Sequence, residues 1–221
     1  GTGYSSLGSL KRLPIDQLAI LLHDSDLAVR FTVAERIAGE ELVALLRDPE
    51  QPIRDLARDF AREKLAPHAA EWDRTSYFPR AELHEMGRLG FLGITVPEAW
   101  DGAGSDSVTM AAILEELAAG DAATSTIVSG HNSVACMPIA KFGTTQQKET
   151  FLRPMARGEK IGAFALTEAH GGSDAGALQT RAERGGRGSA LNGGKPVITP
   201  GKDGDICILF PQTPPRRGPH G

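Results

Sequence analysis

Cysteine is scarce in this chain, which has only Cys136 and Cys207 among 221 residues. Two thiols cannot supply the three or four ligands of a cysteine-based metal cluster, so no metal site is predicted. In a reducing compartment, both are expected to be small buried apolar residues and not a disulfide. The chain is therefore predicted to be cytoplasmic.

Long apolar runs and a one-sided charge are also missing. No segment reaches the roughly 20 apolar residues that a membrane-spanning helix needs. The net charge is only −4, with acidic and basic residues interspersed, whereas nucleic-acid binding needs a clustered basic face. Residues 1–4 lack the charged and then apolar pattern of a secretory signal. These absences predict a soluble protein without a nucleic-acid or membrane partner.

A short internal repeat occupies residues 1–50, which we predict to be a helical extension. Residues 18–24 (LAILLHD) return as residues 42–48 (LVALLRD). Such a recurrence is typical of stacked helical units and resembles the leucine-rich variant repeats. A solenoid needs roughly three units, and fewer than two are present. The alternative is two ordinary amphipathic helices that align by chance.

Residues 51–160 are predicted to form a helical domain. Apolar residues recur at helical spacing, and glycine or proline ends each run. Thr144 and Gln147 have the spacing of a capping box. The positions expected to face the core are Ile53, Leu56, Ala57, Phe60, Ala61, Leu65, Leu83, Met86, Leu89, Met110, Ile113, Leu114, Leu117, Phe151, Leu152 and Met155.

Residues 161–210 change to short strands and turns, which predicts an incomplete antiparallel β-domain. Residues 180–183, 197–199 and 206–210 are strand-like, and Asn192-Gly193 is a favoured tight-turn pair. Residues 211–221 are rich in proline, which cannot continue a sheet, and are predicted to be a disordered tail. The predicted fold class is therefore α+β, with a mostly α-helical N-terminal region followed by this β-domain.

One stretch, residues 161–175, has the residue types of a ligand-binding loop. An apolar run is followed by residues 170–174 (HGGSD). Glycines let the backbone turn sharply and approach a ligand, and successive N–H groups can bind an anion. Thr167 and Ser173 add hydroxyls. The same pattern is also that of a plain turn, so the residues alone leave both interpretations open.

Three segments together resemble the acyl-CoA dehydrogenase family. They are residues 163–168 (AFALTE) with 172–174 (GSD), residues 191–205, and residues 131–162, in the family's order. The resemblance covers roughly residues 53–210. It implies FAD-dependent oxidation of the Cα–Cβ bond of an acyl-CoA thioester to the enoyl-CoA. It also implies electron-transferring flavoprotein as electron acceptor and a homo-oligomer for the full-length protein.

The resemblance also implies the site residues. Leu166 and Thr167 would hydrogen-bond the flavin ring, and Ser173 would lie near the flavin phosphate and the CoA portion of the substrate. Val197 stands where the family usually has tryptophan. The cofactor-binding residues are expected to be Phe164, Ala165, Leu166, Thr167, Gly172, Ser173, Val197, Ile198 and Thr199, with Ser173 also contacting substrate.

No catalytic residue is assigned. The glutamate that removes the α-proton in the family belongs to a C-terminal helical bundle that these residues do not match, and Glu168 matches a structural glutamate. We interpret His170 as a solvent-facing turn residue with a risk of backbone strain, and His131 as a hydrogen-bonded helix residue. The chain is expected to be a truncated dehydrogenase that is inactive alone. The alternatives are a helical-repeat interaction module in residues 1–66 and a non-catalytic remnant.

Overall fold

Helices make up the first part of the described chain, and strands the last part. The computed structural model describes residues 51–185 and 188–213. The predicted repeat in residues 1–50 and most of the predicted tail lie outside them. The helices are α1 (Gln51–Phe60), α2 (Ala69–Thr75), α3 (Arg80–Arg88), α4 (Ser107–Gly120), α5 (Ala122–Gly130), α6 (Met137–Phe142), α7 (Thr145–Gln147) and α8 (Arg153–Ala156).

Three of these helices widen into π-helical segments, and short 3₁₀ turns lie in the connections. The π-helical segments are Ala61–Leu65, His131–Cys136 and Lys148–Leu152, and the 3₁₀ turns are Glu98–Trp100 and Ala175–Ala177. The predicted helical character of residues 53–158 is confirmed. The sequence does not predict α2, because Pro67 ends the preceding apolar run and no further helical periodicity follows it before residue 80. No helix of the described part is long and apolar enough to cross a membrane.

Side-chain caps set the helix starts. The Asp106 carboxylate accepts from Thr109 N–H at 2.8 Å to begin α4, and Asp121 accepts from Thr124 N–H at 3.0 Å to begin α5. Thr144 and Gln147 form the predicted capping box at α7. Each cap satisfies an N–H group that has no partner within its own helix.

The apolar core lies between the helices and continues beneath the first strand. One cluster joins α1, α3, α4 and α5, and a second joins the His131–Cys136 segment to α8. Three residues expected in the core are partly exposed: Leu56 (41%), Leu89 (36%) and Phe151 (41%). Periodicity identifies the face of a helix on which a residue lies, but not how far its neighbours cover that face.

Four strands form two small ladders. The strands are β1 (Gly162–Ala165), β2 (Arg181–Gly185), β3 (Gly188–Asn192) and β4 (Ile206–Leu209). β2 and β3 pair antiparallel as expected, but β1 pairs with β4 in parallel. The β-region is confirmed, and its description as purely antiparallel is corrected. The long connection between β1 and β4 permits a parallel crossover, which no short turn could make.

Other local predictions for the β-region were wrong. Residues 197–199 form no strand, because Val197 has φ +57°, outside the extended region. Asn192-Gly193 does not join a hairpin, since β3 ends at Asn192. Gln212, in the predicted tail, accepts from Ala182 N–H at 2.8 Å and donates to Thr180 O at 2.7 Å. Unlike the prolines around it, Gln212 retains an N–H to donate.

Polar contacts attach β1 to the helical region at two points. His131 is fully buried, accepts from Gly162 N–H at its Nδ1 (2.9 Å) and donates from Nε2 to Met155 O (3.1 Å). Asp205, just before β4, accepts from Ile161 N–H at 2.8 Å and from Arg80 at 3.1 Å. These bonds position the strand that leads into the predicted ligand loop.

The two cysteines differ in environment. Cys136 is buried beside the His131 ring, with its Sγ 3.4 Å from Nε2, and burial raises the pKa of its thiol. Cys207 is exposed, which corrects the prediction that both are buried. β4 is covered on one face only, and Cys207 points to the other.

His131 should make stability depend on pH. Burial lowers its pKa from 6.5 to about 4, so between these values the unfolded chain binds a proton that the folded chain does not. The free energy of unfolding is expected to fall by up to about 1.4 kcal/mol per pH unit as pH drops through this window. Urea unfolding at pH 7, 6 and 5 should give a shallower pH dependence for His131→Asn than for wild type. Equal slopes for wild type and His131→Asn would contradict the assignment.

Thr144→Ala should destabilise the protein by about 1 kcal/mol, because the α7 capping box loses its side-chain acceptor. Thr145→Ala is the matched control, as the neighbouring exposed threonine has no capping role. Urea midpoints compared at constant m-value measure both changes. Equal midpoints for the two variants would show that the cap contributes nothing.

Candidate functional site

β1 leads directly into the first predicted motif. Ala163 and Ala165 are buried, whereas the half-buried Phe164 packs its ring edge-on against Phe210, with centroids 5.4 Å apart. Phe210 N–H also donates to Ala165 O at 3.2 Å. Because side chains alternate along a strand, Ala163 and Ala165 lie on one face and Phe164 on the other. Phe164 shares its face with Gly162, where a Cβ would meet Met155 and Ala135 of the helical region.

Glu168 closes the loop after β1. Its N–H donates to Gly171 O at 2.7 Å, and Gly171 N–H donates back to Glu168 O at 3.2 Å. The carboxylate turns inward and accepts from the N–H groups of Gln179 (2.6 Å) and Thr180 (3.0 Å). One side chain thus holds the beginning of the loop to the segment that returns toward β2.

Lys195 is the ionic partner of Glu168. The two side chains are 4% and 2% exposed, and Lys195 Nζ lies 2.8 Å from Glu168 Oε1. Nζ also donates to Leu166 O at 2.7 Å. Burial alone would raise the pKa of Glu168, but the ammonium and the two backbone N–H groups outweigh burial and hold that pKa well below its usual range.

His170 is a turn residue, as interpreted from the sequence. Its side chain is 43% exposed, and Nε2 lies 3.3 Å from Glu168 Oε2. The expected backbone strain is absent, since Ser76, Asp101 and Val197 are the non-glycine residues with positive φ in the described chain. His170 faces a carboxylate that already accepts three hydrogen bonds.

The second predicted segment follows β3. Gly193 has φ +152°, and a Cβ there would overlap Thr180 Oγ1. Val197 is 91% exposed and has φ +57°, which is unfavourable for a β-branched residue. The segment from Gly193 to Val197 is therefore shaped by two unusual backbone conformations.

Some predicted site residues are brought together, and others are not. Ala165 and Ile198 line the same cleft of about 430 Å³, together with Lys195. Ile198 and Thr199 also border a neighbouring cleft of about 670 Å³. Gly172 lies next to Thr167, because a Cβ at Gly172 would be 3.8 Å from Thr167 Cγ2. Ser173 is exposed and lines neither cleft.

Donor groups are left over at the end of β1. Within residues 51–185 and 188–213, the N–H groups of Leu166 and Thr167 and the Thr167 hydroxyl make no hydrogen bond. Leu166 O, by contrast, is occupied by Lys195. In the same part of the chain, no three His, Cys, Asp or Glu side chains are grouped to hold a metal ion. The site therefore offers neutral donors suited to carbonyl oxygens or ring nitrogens.

Comparison with known proteins decides the family. Residues 47–159, just over half of the chain, match the acyl-CoA dehydrogenase N-terminal domain. This chain belongs to the acyl-CoA dehydrogenase family. An acyl-CoA dehydrogenase of Bacillus subtilis is 43% identical over 169 residues, which are 76% of this chain and 45% of that protein. The chain thus spans less than half the length of this relative.

Solved structures confirm the helical region followed by a small β-region. Butyryl-CoA dehydrogenase from Megasphaera elsdenii matches with a TM-score of 0.74 and 39% identity, over 80% of this chain and 47% of that one. A glutaryl-CoA dehydrogenase from Mycobacterium smegmatis in complex with FADH2 matches with a TM-score of 0.73 and 33% identity, over 79% of this chain and 46% of that one.

Sequence reasoning missed Lys195. The residue lies between Gly194 and Pro196, where turn residues suggest exposure, yet its side chain is 4% exposed. The sequence did offer one signal: Glu168 lies just after an apolar run, which indicates that its carboxylate is buried. A buried charge requires a partner of opposite charge. The partner could not be chosen from the sequence, because 27 residues separate the two.

Gly193→Ala should destabilise the β-region by about 2 kcal/mol or more, because the new methyl group overlaps Thr180 and φ is unfavourable. Gly194→Ala is the matched control: a Cβ there meets no atom within 4 Å, and its φ is not positive. We expect the control to change stability by less than about 0.5 kcal/mol. Thermal unfolding of both variants measures the difference, and similar losses would show that the close contact with Thr180 is unimportant.

Proposed function

We propose that residues 161–199 contribute part of an FAD site, and that the full-length protein oxidises an acyl-CoA thioester at Cα–Cβ to the enoyl-CoA. The observation that carries this proposal is the set of unpaired donors at Leu166 and Thr167, at the end of a strand held rigidly by Glu168 and Lys195. Family membership supports the reaction class.

The residues present suit a flavin ring. The isoalloxazine ring has carbonyl oxygens and ring nitrogens that accept hydrogen bonds, which matches the N–H and hydroxyl donors of Leu166 and Thr167. Phe164, Ala165, Gly172, Val197, Ile198 and Thr199 complete the proposed cofactor-binding set. FAD, when bound, supplies the hydride acceptor. Ser173 is exposed, so it can meet the phosphate or CoA portions of extended ligands.

We also propose that these 221 residues do not turn over acyl-CoA by themselves. The loop offers two carboxylates, and both are engaged: Glu168 with Lys195, and Asp174 with Gly176 N–H at 3.1 Å. A base for the α-proton must be able to reach the substrate, and neither is free to do so. Formation of enoyl-CoA by this chain with an artificial electron acceptor would contradict the proposal.

The wider assembly follows from the same proposal. An acyl-CoA is the substrate, electron-transferring flavoprotein is the acceptor of the flavin electrons, the full-length protein is a homo-oligomer, and its location is cytoplasmic.

We divide the chain into a helical extension (1–50), a helical domain (51–160), a partial β-domain (161–210) and a tail (211–221). Deleting residues 1–50 tests the alternative that the extension, resembling leucine-rich variant repeats, is a partner-binding module. If solubility and partner binding persist after the deletion, the extension is not the functional part.

Flavin binding is the direct test of the proposed site. The purified chain is incubated with excess FAD and desalted, and its visible absorption spectrum is recorded. A retained band, shifted from that of free FAD, is the expected result. A colourless protein would overturn the proposal that this part of the chain binds FAD.

Thr167→Val should weaken FAD binding by about five- to tenfold, since it removes one hydroxyl donor worth about 1 kcal/mol while keeping the shape of the side chain. Titration of FAD followed by flavin fluorescence measures the dissociation constant. Thr150→Val, at an exposed position outside the proposed site, is the control and should bind like wild type. Unchanged FAD affinity in Thr167→Val would show that the Thr167 hydroxyl does not bind the flavin.

A further inference from the structure

The buried Lys195 joins the two segments proposed to contact FAD. It lies two residues after Gly193, whose backbone closely approaches Thr180, and two residues before Val197, which begins the second segment. Its ammonium reaches the first segment at two points, Leu166 O at 2.7 Å and Glu168 Oε1 at 2.8 Å. These two acceptors flank Thr167, which carries two of the proposed flavin donors.

From this geometry we infer that Lys195 is a positioning residue of the FAD site, an inference that rests on the proposed function. The peptide between Leu166 and Thr167 is planar and trans, so its carbonyl and its N–H point in opposite directions. The bond from Lys195 to Leu166 O therefore fixes the direction of Thr167 N–H. The amide donor is aimed before any ligand arrives.

Glu168 fixes the backbone on the C-terminal side of Thr167. Its carboxylate binds Lys195, Gln179 N–H and Thr180 N–H, so that the residue after Thr167 cannot rotate without breaking these bonds. Thr167 is thus held between two fixed neighbours. The second segment is held as well, because two residues of extended chain span at most about 7 Å and Val197 cannot move far from Lys195.

Stability alone does not account for this ion pair. Desolvating two charges is costly, and well-packed apolar residues in place of a buried pair often leave a protein equally stable. An apolar side chain at position 195 could fill the same volume. It could not donate to Leu166 O, and the peptide that presents Thr167 N–H would then be free to turn.

Lys195→Met tests the inference in the full chain. Without FAD, we expect amide hydrogen exchange in residues 166–180 to accelerate at least tenfold, with no change in α4 and α5. With FAD, we expect at least tenfold weaker binding and an altered visible circular dichroism of the flavin. Lys141→Met removes an exposed lysine from α6 and should match wild type in each measurement.

A second variant separates positioning from folding. Lys195→Met leaves Glu168 buried without its cation, so Lys195→Met with Glu168→Gln removes both charges. We expect the double variant to regain thermal stability and still bind FAD at least tenfold more weakly than wild type. Wild-type affinity and an unchanged flavin spectrum in the double variant would overturn the inference.

Failure of the proposed function would look different. A wild-type chain that retains no FAD would overturn the FAD site itself, whatever the variants do. The exchange measurement needs no flavin, so it judges the inference separately. Equal exchange in residues 166–180 for Lys195→Met and Lys141→Met would overturn the role of Lys195 in holding the peptide.

Discussion

The buried carboxylate of Glu168 is the interaction on which the β-region depends. Three stretches of chain converge on it: the end of β1, the return segment at Gln179 and Thr180, and the loop that contains Lys195. Two short ladders have little apolar surface of their own to hold them together. The charge network adds to the packing of Ile206 and Ile208 on the helical core. It is kept satisfied because each buried donor and acceptor is costly to leave unpaired.

The helical region supplies the rigid base for this network. His131 meets Gly162 N–H inside the core, and Arg80 with Asp205 meets the same strand from the surface. β1 is therefore anchored at its start, while its end carries the loop. A strand fixed in this way can hold donors at Leu166 and Thr167 in place without help from a ligand.

Val197 is a strained position in the segment that we propose contacts FAD. An exposed β-branched residue with positive φ stands where the resemblance places an aromatic ring beside the flavin. Its backbone conformation also explains why strand-like residues around it form no strand. Backbone strain of this kind persists only where the surroundings determine the backbone.

The sequence by itself determined most of the helices, the capping box at Thr144 and the resemblance to the family. Periodic apolar residues, Thr144 with Gln147, and the motif around Glu168 are local signals, and they depend on neighbours within a few residues. Only the tertiary structure decided the parallel pairing of β1 with β4, the exposure of Leu89 and Cys207, and the burial of Lys195. Each of these depends on which distant segment lies alongside, and contact between residues far apart in the chain leaves no local pattern to read.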